Sequence, residues 1–233
     1  MKKPICFFTI ASNEYRPYAD KMMNSLRKFT DKPIRIYGQA DIDKANKDGY
    51  LGSWYAYFGA ILSKEYELVI NIDADSIVLD NIEELFTDNY DVAGTLSNYP
   101  TNQGASLPNV PTNKYFNIGL LASRSEKFWN DWKILNLKNM KYYYYGEQDV
   151  CNSLLATGEY KVKILDHEQS GFFYGGVGRP FWPLFKMVND KVVCENRIVK
   201  IIHFAGKYIK KFEYNESGLF DKKVCEYFDK VIA

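Results

Sequence analysis

The chain has 233 residues, of which 46% are hydrophobic and 25% charged, so it can bury the core of one ordinary globular domain. Its formal net charge of +1 gives no reason to expect a nucleic acid or an anionic membrane as the main partner. No stretch approaches the roughly 18 apolar residues of a membrane span, and the N-terminal apolar run is too short for a signal peptide. Four cysteines without a C-x-x-C pair, with Cys6 and Cys151 among apolar neighbours, indicate buried free thiols in a reducing, cytoplasmic compartment.

The first third of the chain alternates apolar strand patterns with helical spacing, which is typical of a parallel α/β sheet. In chain order the predicted elements are a strand at Pro4–Ile10, a helix at Tyr18–Phe29, a strand at Ile34–Tyr37, a polar loop at Asp41–Gly52, a helix at Trp54–Ser63 capped by Ser53, and a buried strand at Leu68–Ile72.

The remainder continues this alternation around two irregular stretches. The predicted elements are a helical turn at Leu79–Phe86, a strand at Tyr90–Leu96, a strand at Tyr115–Ala122, a helix opened by the capping box Ser123–Glu126, a helix from Gly146 to Gly158, a strand at Tyr160–Leu165, a strand at Val199–Phe204 and a helical tail. Ser97–Lys114 predicts a long loop, and Ser170–Pro183 is rich in glycine and aromatic residues and irregular.

Two carboxylates, Asp73 and Asp75, follow the strand Leu68–Ile72 directly. Ligands of open α/β sheets bind at the carboxyl ends of the strands, where these side chains would lie. Carboxylate oxygens suit Mg²⁺ or Mn²⁺, and such a metal usually brings a phosphorylated ligand. The alternative is a solvated turn in which the two aspartates cap local N–H groups.

Three further clusters place polar groups at strand ends or helix starts: Thr9–Tyr15, Asn117 with Glu147–Asp149, and His203–Lys211. Alone, each has an ordinary structural explanation, because a histidine after a strand or a lysine pair on a surface is common. In this order, however, a dicarboxylate, a histidine as third metal ligand and a lysine for anionic oxygens could form one diphosphate–metal site. Such a site suits the departure of a nucleoside diphosphate, whose developing charge it would neutralise.

Five blocks in this order resemble the GT-A nucleotide-diphospho-sugar glycosyltransferases, in particular the family-eight branch with glycogenin and bacterial galactosyltransferases. The blocks are T-I-A-S-N-E-Y, G-S-W-Y-A-Y-F with N-I-D-A-D-S-I-V-L-D, Y-F-N-I-G-L-L, G-E-Q-D-V-C-N and I-I-H-F-A-G-K. The resemblance runs from Phe7 to Lys207. It implies a single GT-A domain over residues 1–233, with a mixed, mainly parallel sheet flanked by helices. Residues 1–96 would form the nucleotide-binding half, and 97–233 the half for donor sugar and acceptor.

The resemblance further implies a UDP-sugar donor, Mn²⁺ or Mg²⁺ as cofactor, and retaining transfer to a hydroxyl of a glycan, glycoconjugate or protein. By position, the implied metal ligands are Asp73, Asp75 and His203. The implied donor-binding residues are Ile10, Ala11 and Tyr15 at the uridine, Ala74 near the ribose, Asn117 and Gly119 at the sugar, and Gly206 and Lys207 at the diphosphate. Glu147, Gln148 and Asp149 are the implied catalytic group.

Three positions depart from the family pattern. Tyr57, counted with the donor-binding residues, stands where the family often has Arg or Lys. Glu147 stands where Asp is usual. Lys207 follows Gly206 directly, which leaves open whether Lys207, Lys210 or Lys211 contacts the diphosphate.

Three other interpretations follow from the same residues. An inverting transferase would need a carboxylate base, for which Asp149 and Glu147 are the candidates. D-A-D-S-I also resembles the nucleophile motif of haloacid-dehalogenase-like phosphatases, although that motif normally lies on the first strand. A non-catalytic domain that binds a sugar nucleotide or glycan would keep the metal site and would not hydrolyse a donor.

Overall fold

The computed structural model describes residues 1–97, 107, 110–111, 114–165, 172–174, 185–194, 196–205, 214 and 220–233. Its helices are α1 (Arg16–Arg27), α2 (Gln39–Lys47), α3 (Trp54–Leu62), α4 (Glu126–Asn139), α5 (Glu147–Leu155) and α6 (Lys222–Ile232), with short 3₁₀ turns at Glu83–Phe86 and Met140–Tyr142. Its strands are β1 (Lys3–Ile10), β2 (Ile34–Tyr37), β3 (Tyr66–Ile72), β4 (Ser76–Val78), β5 (Val92–Leu96), β6 (Phe116–Ser123), β7 (Val162–Ile164), β8 (Phe172–Tyr174), β9 (Lys186–Val188), β10 (Lys191–Cys194), β11 (Arg197–Ile198) and β12 (Ile201–Ala205).

The chain forms two compact units, each assembled from three separate segments. Unit 1 comprises Met1–Glu14, Lys32–Ile72 and Asp88–Ile164, and unit 2 comprises Tyr15–Asp31, Asp73–Thr87 and Leu165–Ala233. The expectation of one domain divided near residue 96 stays a prediction.

Unit 1 is built on a sheet whose six described strands follow the order β2-β1-β3-β6-β5-β7. β1 pairs in parallel with β2 and β3, and β5 in parallel with β7, whereas β6 runs antiparallel to both of its neighbours. The last five residues of β1, Cys6–Ile10, are nearly continuously apolar and buried, as expected for a strand covered on both faces. The predicted mixed, mainly parallel sheet flanked by helices is confirmed.

The core of unit 1 contains closely packed aromatic rings on α4. Phe128, Trp129 and Trp132 are fully buried, and the two indoles stack with their centroids 5.7 Å apart. Phe8 of β1 meets Trp129 edge-on at 6.0 Å. Gly59 of α3 lies so close to Trp129 that a Cβ there would come within 2.2 Å of the indole ring. The approach of α3 to α4 therefore requires glycine at this position.

The pairing of β5 with β6 contains an irregularity that bears on the site. Gly94 is opposite Leu121, but its neighbour Thr95 is opposite Asn117, so the register shifts between them. A bulge of this kind bends a strand and redirects side chains. Here it interrupts regular pairing at Ile118–Leu120, beside Asn117.

Unit 2 has its own core and smaller sheets. Its described strands form the three-stranded orders β4-β12-β8 and β11-β10-β9. Phe204 of β12, Tyr214 and Phe228 of α6 are buried together, and the rings of Tyr214 and Phe228 are 4.9 Å apart. Helix α6 is capped at its N-terminus by Asp221, whose side chain accepts a hydrogen bond from the Val224 N–H.

Most predicted elements are confirmed within a few residues, but the loop predicted at Asp41–Gly52 is wrong. Its first part is helix α2, which buries only Ile42 and Ala45. Two apolar residues give too weak a periodicity to indicate a helix from sequence, and tertiary contact decides the structure there.

Two predicted caps also differ. Within the described residues Ser53 makes no side-chain cap for α3, because its hydroxyl instead accepts a hydrogen bond from Asn136 Nδ2 at 2.7 Å. Ser125, not Ser123, caps α4 by accepting from the Phe128 N–H. Strands β9, β10 and β11 were not predicted, since they are two to four residues long. The loop expected at Ser97–Lys114 and the irregular segment expected at Ser170–Pro183 lie largely outside the described residues, but within the latter Phe172–Tyr174 form strand β8.

All four cysteines are free and buried, as predicted for Cys6 and Cys151. Burial raises the pKa of the Cys6 thiol to about 11, so it is inert at neutral pH. Among the helices that the structure describes, none has the length and apolarity to cross a bilayer.

The contact between α3 and α4 can be tested with Gly59→Ala. We expect a loss of about 1–3 kcal/mol in the free energy of unfolding, because the added methyl overlaps the Trp129 ring. Urea denaturation measures the change. In a Trp129→Phe background, which frees space, the same substitution should cost less. An unchanged or raised stability for Gly59→Ala would contradict the packing described.

Candidate functional site

Three side chains of types that can ligate a metal, Asp73, Asp75 and His203, converge in unit 2. Asp73 and Asp75 come directly after β3 and before β4, and His203 lies on β12. Because β12 pairs antiparallel with β4, with His203 opposite Ser76, the histidine is brought beside the two aspartates. The Phe204 N–H also donates to the Asp75 carbonyl at 2.9 Å, which fixes this register.

The imidazole bridges the two carboxylates. His203 Nε2 is 3.2 Å from Asp73 Oδ2 and 3.0 Å from Asp75 Oδ1, and the three side chains are mostly buried. Burial alone would lower the pKa of His203, but the adjacent Asp75 and Asp73 outweigh it and raise the pKa to about 10. The two carboxylates therefore favour the cationic imidazole, whose single positive charge offsets one of their two negative charges.

The geometry fits a divalent cation. One ligand atom from each of the three residues lies within 4.8 Å of the others. Two carboxylates with one imidazole are a donor set that Mn²⁺ accepts, and Mg²⁺ accepts the oxygens. A cation bound here would replace the histidine proton, because only neutral imidazole coordinates.

A second cluster, in unit 1, surrounds the Gln148 side chain on the first turn of α5. Gln148 Oε1 accepts from the Ile118 N–H at 3.2 Å and from Asn117 Nδ2 at 3.3 Å. Gln148 Nε2 donates to the Tyr115 hydroxyl at 3.1 Å. Asn117 Oδ1 accepts from the Gly119 N–H at 2.8 Å. The bulged part of β6 and α5 therefore present one connected group of amides.

Asp149 is completely buried beneath this cluster. Its Oδ1 accepts from the Tyr115 hydroxyl at 2.6 Å, and its Oδ2 accepts from the Tyr145 N–H at 2.9 Å. Burial and the bond to Asp149 raise the pKa of Tyr115, so this hydroxyl keeps its proton. The Tyr115 hydroxyl donates its hydrogen bond to Asp149, and its oxygen accepts the hydrogen bond from Gln148 Nε2.

Glu147 points away from this cluster, towards α3 and α4. Its Oε1 accepts from the Tyr55 N–H at the start of α3, and its Oε2 accepts from Asn136 Nδ2 of α4. Its backbone carbonyl accepts from the Trp132 indole N–H at 2.9 Å. These hydrogen bonds link the start of α5 to α3 and to α4. The negative charge of Glu147 is also favourable at the N-terminus of a helix.

The predicted nucleotide-binding residues are distributed over both units. Ile10 and Ala11 are buried at the end of β1 in unit 1, where the Ala11 N–H donates to the Tyr37 carbonyl. Tyr15, in unit 2, is partly exposed and meets Tyr18 edge-on. The Tyr57 hydroxyl donates to Asp48 at 2.8 Å, and burial with this bond raises its pKa to about 12.

Ala74, which stands between the two aspartates in the sequence, is buried. Gly206, Lys207, Lys210 and Lys211 lie outside the described residues, so the lysine expected at the diphosphate stays a prediction.

Sequence reasoning did not single out Tyr115, Asn136 or Asn152 as parts of the site. Asn152 joins α5 to β6, since its side chain accepts from the Phe116 N–H at 2.6 Å and donates to the Phe116 carbonyl at 2.9 Å. One signal was available: Asn152 and Asn136 interrupt the apolar faces of their helices, and a buried amide requires partners.

Comparison with solved structures shows the fold. The bifunctional glycosyltransferase WbbM aligns with the whole chain at a TM-score of 0.68 and 14% identity, but the chain spans only 50% of its length. The galactosyltransferase LgtC, solved with donor and acceptor sugar analogues, aligns over 97% of this chain and 95% of its own at a TM-score of 0.61 and 14% identity. The glycosyltransferase GlyE of Streptococcus pneumoniae TIGR4 aligns with the whole chain and 62% of its own at a TM-score of 0.59 and 17% identity. The fold is thus that of the GT-A glycosyltransferases.

In sequence, no family model matches the chain, and no curated protein matches it either.

The metal centre can be tested without a substrate. Saturating Mn²⁺ should raise the melting temperature of the wild type by about 5 °C or more, because a cation that binds only the folded state stabilises it. Asp75→Asn should abolish the shift, measured by differential scanning calorimetry. Asp80→Asn is the matched control, because Asp80 is an aspartate of the same unit that pairs with Lys191. An equal Mn²⁺ shift in Asp75→Asn would contradict the site.

The hydrogen-bond chain through Tyr115 predicts a stability cost for Tyr115→Phe. Loss of the hydroxyl removes one donor from buried Asp149 and the acceptor of Gln148 Nε2, which should destabilise the fold by about 1–3 kcal/mol. Tyr144→Phe is the control, because this tyrosine is 84% exposed. Urea denaturation of both variants distinguishes a buried network from a general effect of removing a tyrosine hydroxyl.

Proposed function

We propose that the protein is a metal-dependent glycosyltransferase that moves a sugar from a UDP-sugar to an acceptor hydroxyl. The observation that carries the proposal is the Asp73, Asp75 and His203 triad, in which two aspartates directly after β3 meet a histidine of β12 in a chain with the GT-A fold. The similarity to LgtC, whose structure holds donor and acceptor sugar analogues, supports glycosyl transfer as the reaction class.

In this proposal the triad holds Mn²⁺ or Mg²⁺. When bound, the cation supplies positive charge next to the diphosphate and so makes the nucleotide a better leaving group. His203 and the two carboxylates orient one another before the cation arrives, since their ligand atoms are already close. Little rearrangement is then needed on binding.

Gln148 is the proposed contact to the donor sugar at the reacting face. Its side chain is partly exposed, whereas Glu147 and Asp149 on either side are buried with donors on their oxygens. We assign these two carboxylates to positioning: Glu147 fixes the start of α5, and Asp149 with Tyr115 orients the Gln148 amide. Asn117 and Gly119, which meet the same amide group, are the proposed partners of the sugar hydroxyls.

The remaining donor contacts follow the family positions. Ile10, Ala11 and Tyr15 would bind uridine, and Ala74 would lie near the ribose. Tyr57, whose hydroxyl is held by Asp48, offers no cation to the phosphates. That charge would have to come from Gly206 and Lys207 or the lysines after them.

The proposed transfer retains the configuration at the anomeric carbon. The proposed acceptor is a hydroxyl of a glycan, glycoconjugate or protein, and the proposed location is the cytoplasm. If Asp149 were instead the base of an inverting enzyme, it would have to leave Tyr115 and Tyr145 to reach solvent. This burial favours the retaining alternative.

The experiment that tests the proposal is calorimetric titration of UDP with and without Mn²⁺, followed by hydrolysis of UDP-sugars without acceptor. The wild type should bind UDP only with the metal and should release free sugar slowly. Asp75→Ala should lose both properties. UDP binding that does not depend on metal, or absent binding, would contradict the proposal.

Gln148→Ala separates transfer from binding. We expect it to keep metal-dependent UDP binding and to lose at least about a hundredfold in donor hydrolysis, because it removes a group at the reacting face. Gln148→Glu is the conservative comparison. Full donor hydrolysis by Gln148→Ala would remove Gln148 from the reacting face, and UDP binding without hydrolysis in the wild type would indicate a non-catalytic binding domain.

A further inference from the structure

The outward side of helix α4 is unusually apolar for a surface helix. Its inner side is formed by the buried residues Phe128, Trp129, Trp132 and Asn136, so the opposite side faces solvent and would ordinarily be polar. Instead, Ile134 is 46% exposed and Leu137 is 50% exposed. Packing within unit 1 therefore does not explain why these two positions are apolar.

Helical spacing combines these apolar residues with lysines. Ile134, Leu137 and Lys138 stand at positions i, i+3 and i+4, which share one side of α4, and Lys141 follows two residues after the helix in the 3₁₀ turn Met140–Tyr142. The chain then continues into four consecutive tyrosines, of which Tyr142 is 73% and Tyr144 is 84% exposed. We call Ile134, Leu137, Lys138, Lys141, Tyr142 and Tyr144 the α4 surface.

The concentration of exposed apolar groups here is not a general property of the protein. Of the twelve large hydrophobic residues that are exposed in the described part of the chain, five lie within residues 134–145. Single exposed hydrophobic residues are normal on any surface, but a cluster indicates an interaction site.

The positive charge of the α4 surface indicates an anionic partner. From Trp132 to Tyr145 the sequence has three lysines, Lys133, Lys138 and Lys141, and no acidic residue. The acids that flank this stretch are engaged elsewhere: Asp131 pairs with Lys127, and Glu147 is buried against α3. A local excess of positive charge is therefore present in a chain with a net charge of only +1.

The tyrosine run is anchored to the folded unit. Tyr143 packs against the core, its N–H donates to the Met140 carbonyl, and its carbonyl accepts from the Gly146 N–H. The Lys141 ammonium lies 5.0 Å above the Tyr142 ring. The aromatic side chains are thus presented from a fixed backbone, next to the lysines.

We propose that the α4 surface binds an anionic lipid bilayer. Ile134 and Leu137 enter the boundary between headgroups and acyl chains, Tyr142 and Tyr144 lie at headgroup level, and Lys138 and Lys141 meet the anionic headgroups. Aliphatic, aromatic and basic residues on one exposed side are the combination by which peripheral proteins lie on a membrane. This inference does not depend on the proposed sugar transfer.

The test is co-sedimentation of the full chain with vesicles of phosphatidylcholine alone and of phosphatidylcholine with an equal amount of phosphatidylglycerol. The wild type should bind the anionic vesicles, weaken as salt is raised, and bind the neutral vesicles poorly. Lys138→Ala with Lys141→Ala should lower the partition coefficient about thirtyfold, as expected for two lysines near the surface. Ile134→Gln with Leu137→Gln should lower it at least about tenfold.

The matched control is Ile61→Gln with Lys64→Ala, which changes an exposed isoleucine and an exposed lysine three residues apart near the end of α3. It should bind vesicles like the wild type. Absence of wild-type binding to anionic vesicles, or equal losses in the control and α4 variants, would overturn the proposal. So would sedimentation velocity showing that the α4 substitutions dissociate a dimer, because a second copy would then cover this surface.

Discussion

Carboxylates held away from water must be met by hydrogen-bond donors, and this requirement organises both candidate clusters. In unit 2 the partner of Asp73 and Asp75 is His203, which β12 returns to them after more than a hundred residues. In unit 1 the partners of Glu147 and Asp149 come from α3, α4, the residue before β6 and the turn before α5. An unpaired buried charge is among the most destabilising features a fold can contain, so these contacts constrain where each element can lie.

In the first turn of α5, three consecutive side chains contact three different sets of neighbours. Successive residues of a helix are rotated by about 100° around its axis, so Glu147, Gln148 and Asp149 cannot face the same neighbours. Glu147 reaches α3 and α4, Asp149 reaches Tyr115 below the sheet end, and Gln148 is left between them beside Asn117. The two charged residues thereby restrict the orientation of the neutral one. Glutamate has one more methylene than aspartate, and with this length Glu147 reaches the start of α3.

Much of this arrangement could be predicted from the sequence, and the exceptions have physical causes. The strands around Asp73 and the helix from Gly146 have strong apolar periodicity and clear end signals, so their existence followed from local pattern. The metal triad could be proposed because its residue types are chemically distinctive. Helix α2 and strands β9–β11 could not be predicted, since their stability comes from packing against distant segments. The roles of Tyr115 and Asn136 depend on partners that are 34 and 83 residues away, which no local pattern contains. The local excess of lysine at and after α4 could not be predicted from the net charge of the chain, because acidic residues elsewhere cancel these positive charges.

Unit 2 begins with α1 and is completed by α6. Ser25 on α1 accepts from the Val78 N–H of β4, and Asn24 donates to the Ile232 carbonyl 208 residues further on. A ribosome that adds about 5 to 20 residues per second needs roughly 10 to 40 s to make the intervening chain. Throughout that interval α1, whose buried residues include Ala19, Met22 and Leu26, has not yet met α6. For most of its synthesis the nascent chain therefore carries an amphipathic helix that can meet β4 but still lacks α6, and this segment is where we would expect a chaperone to act.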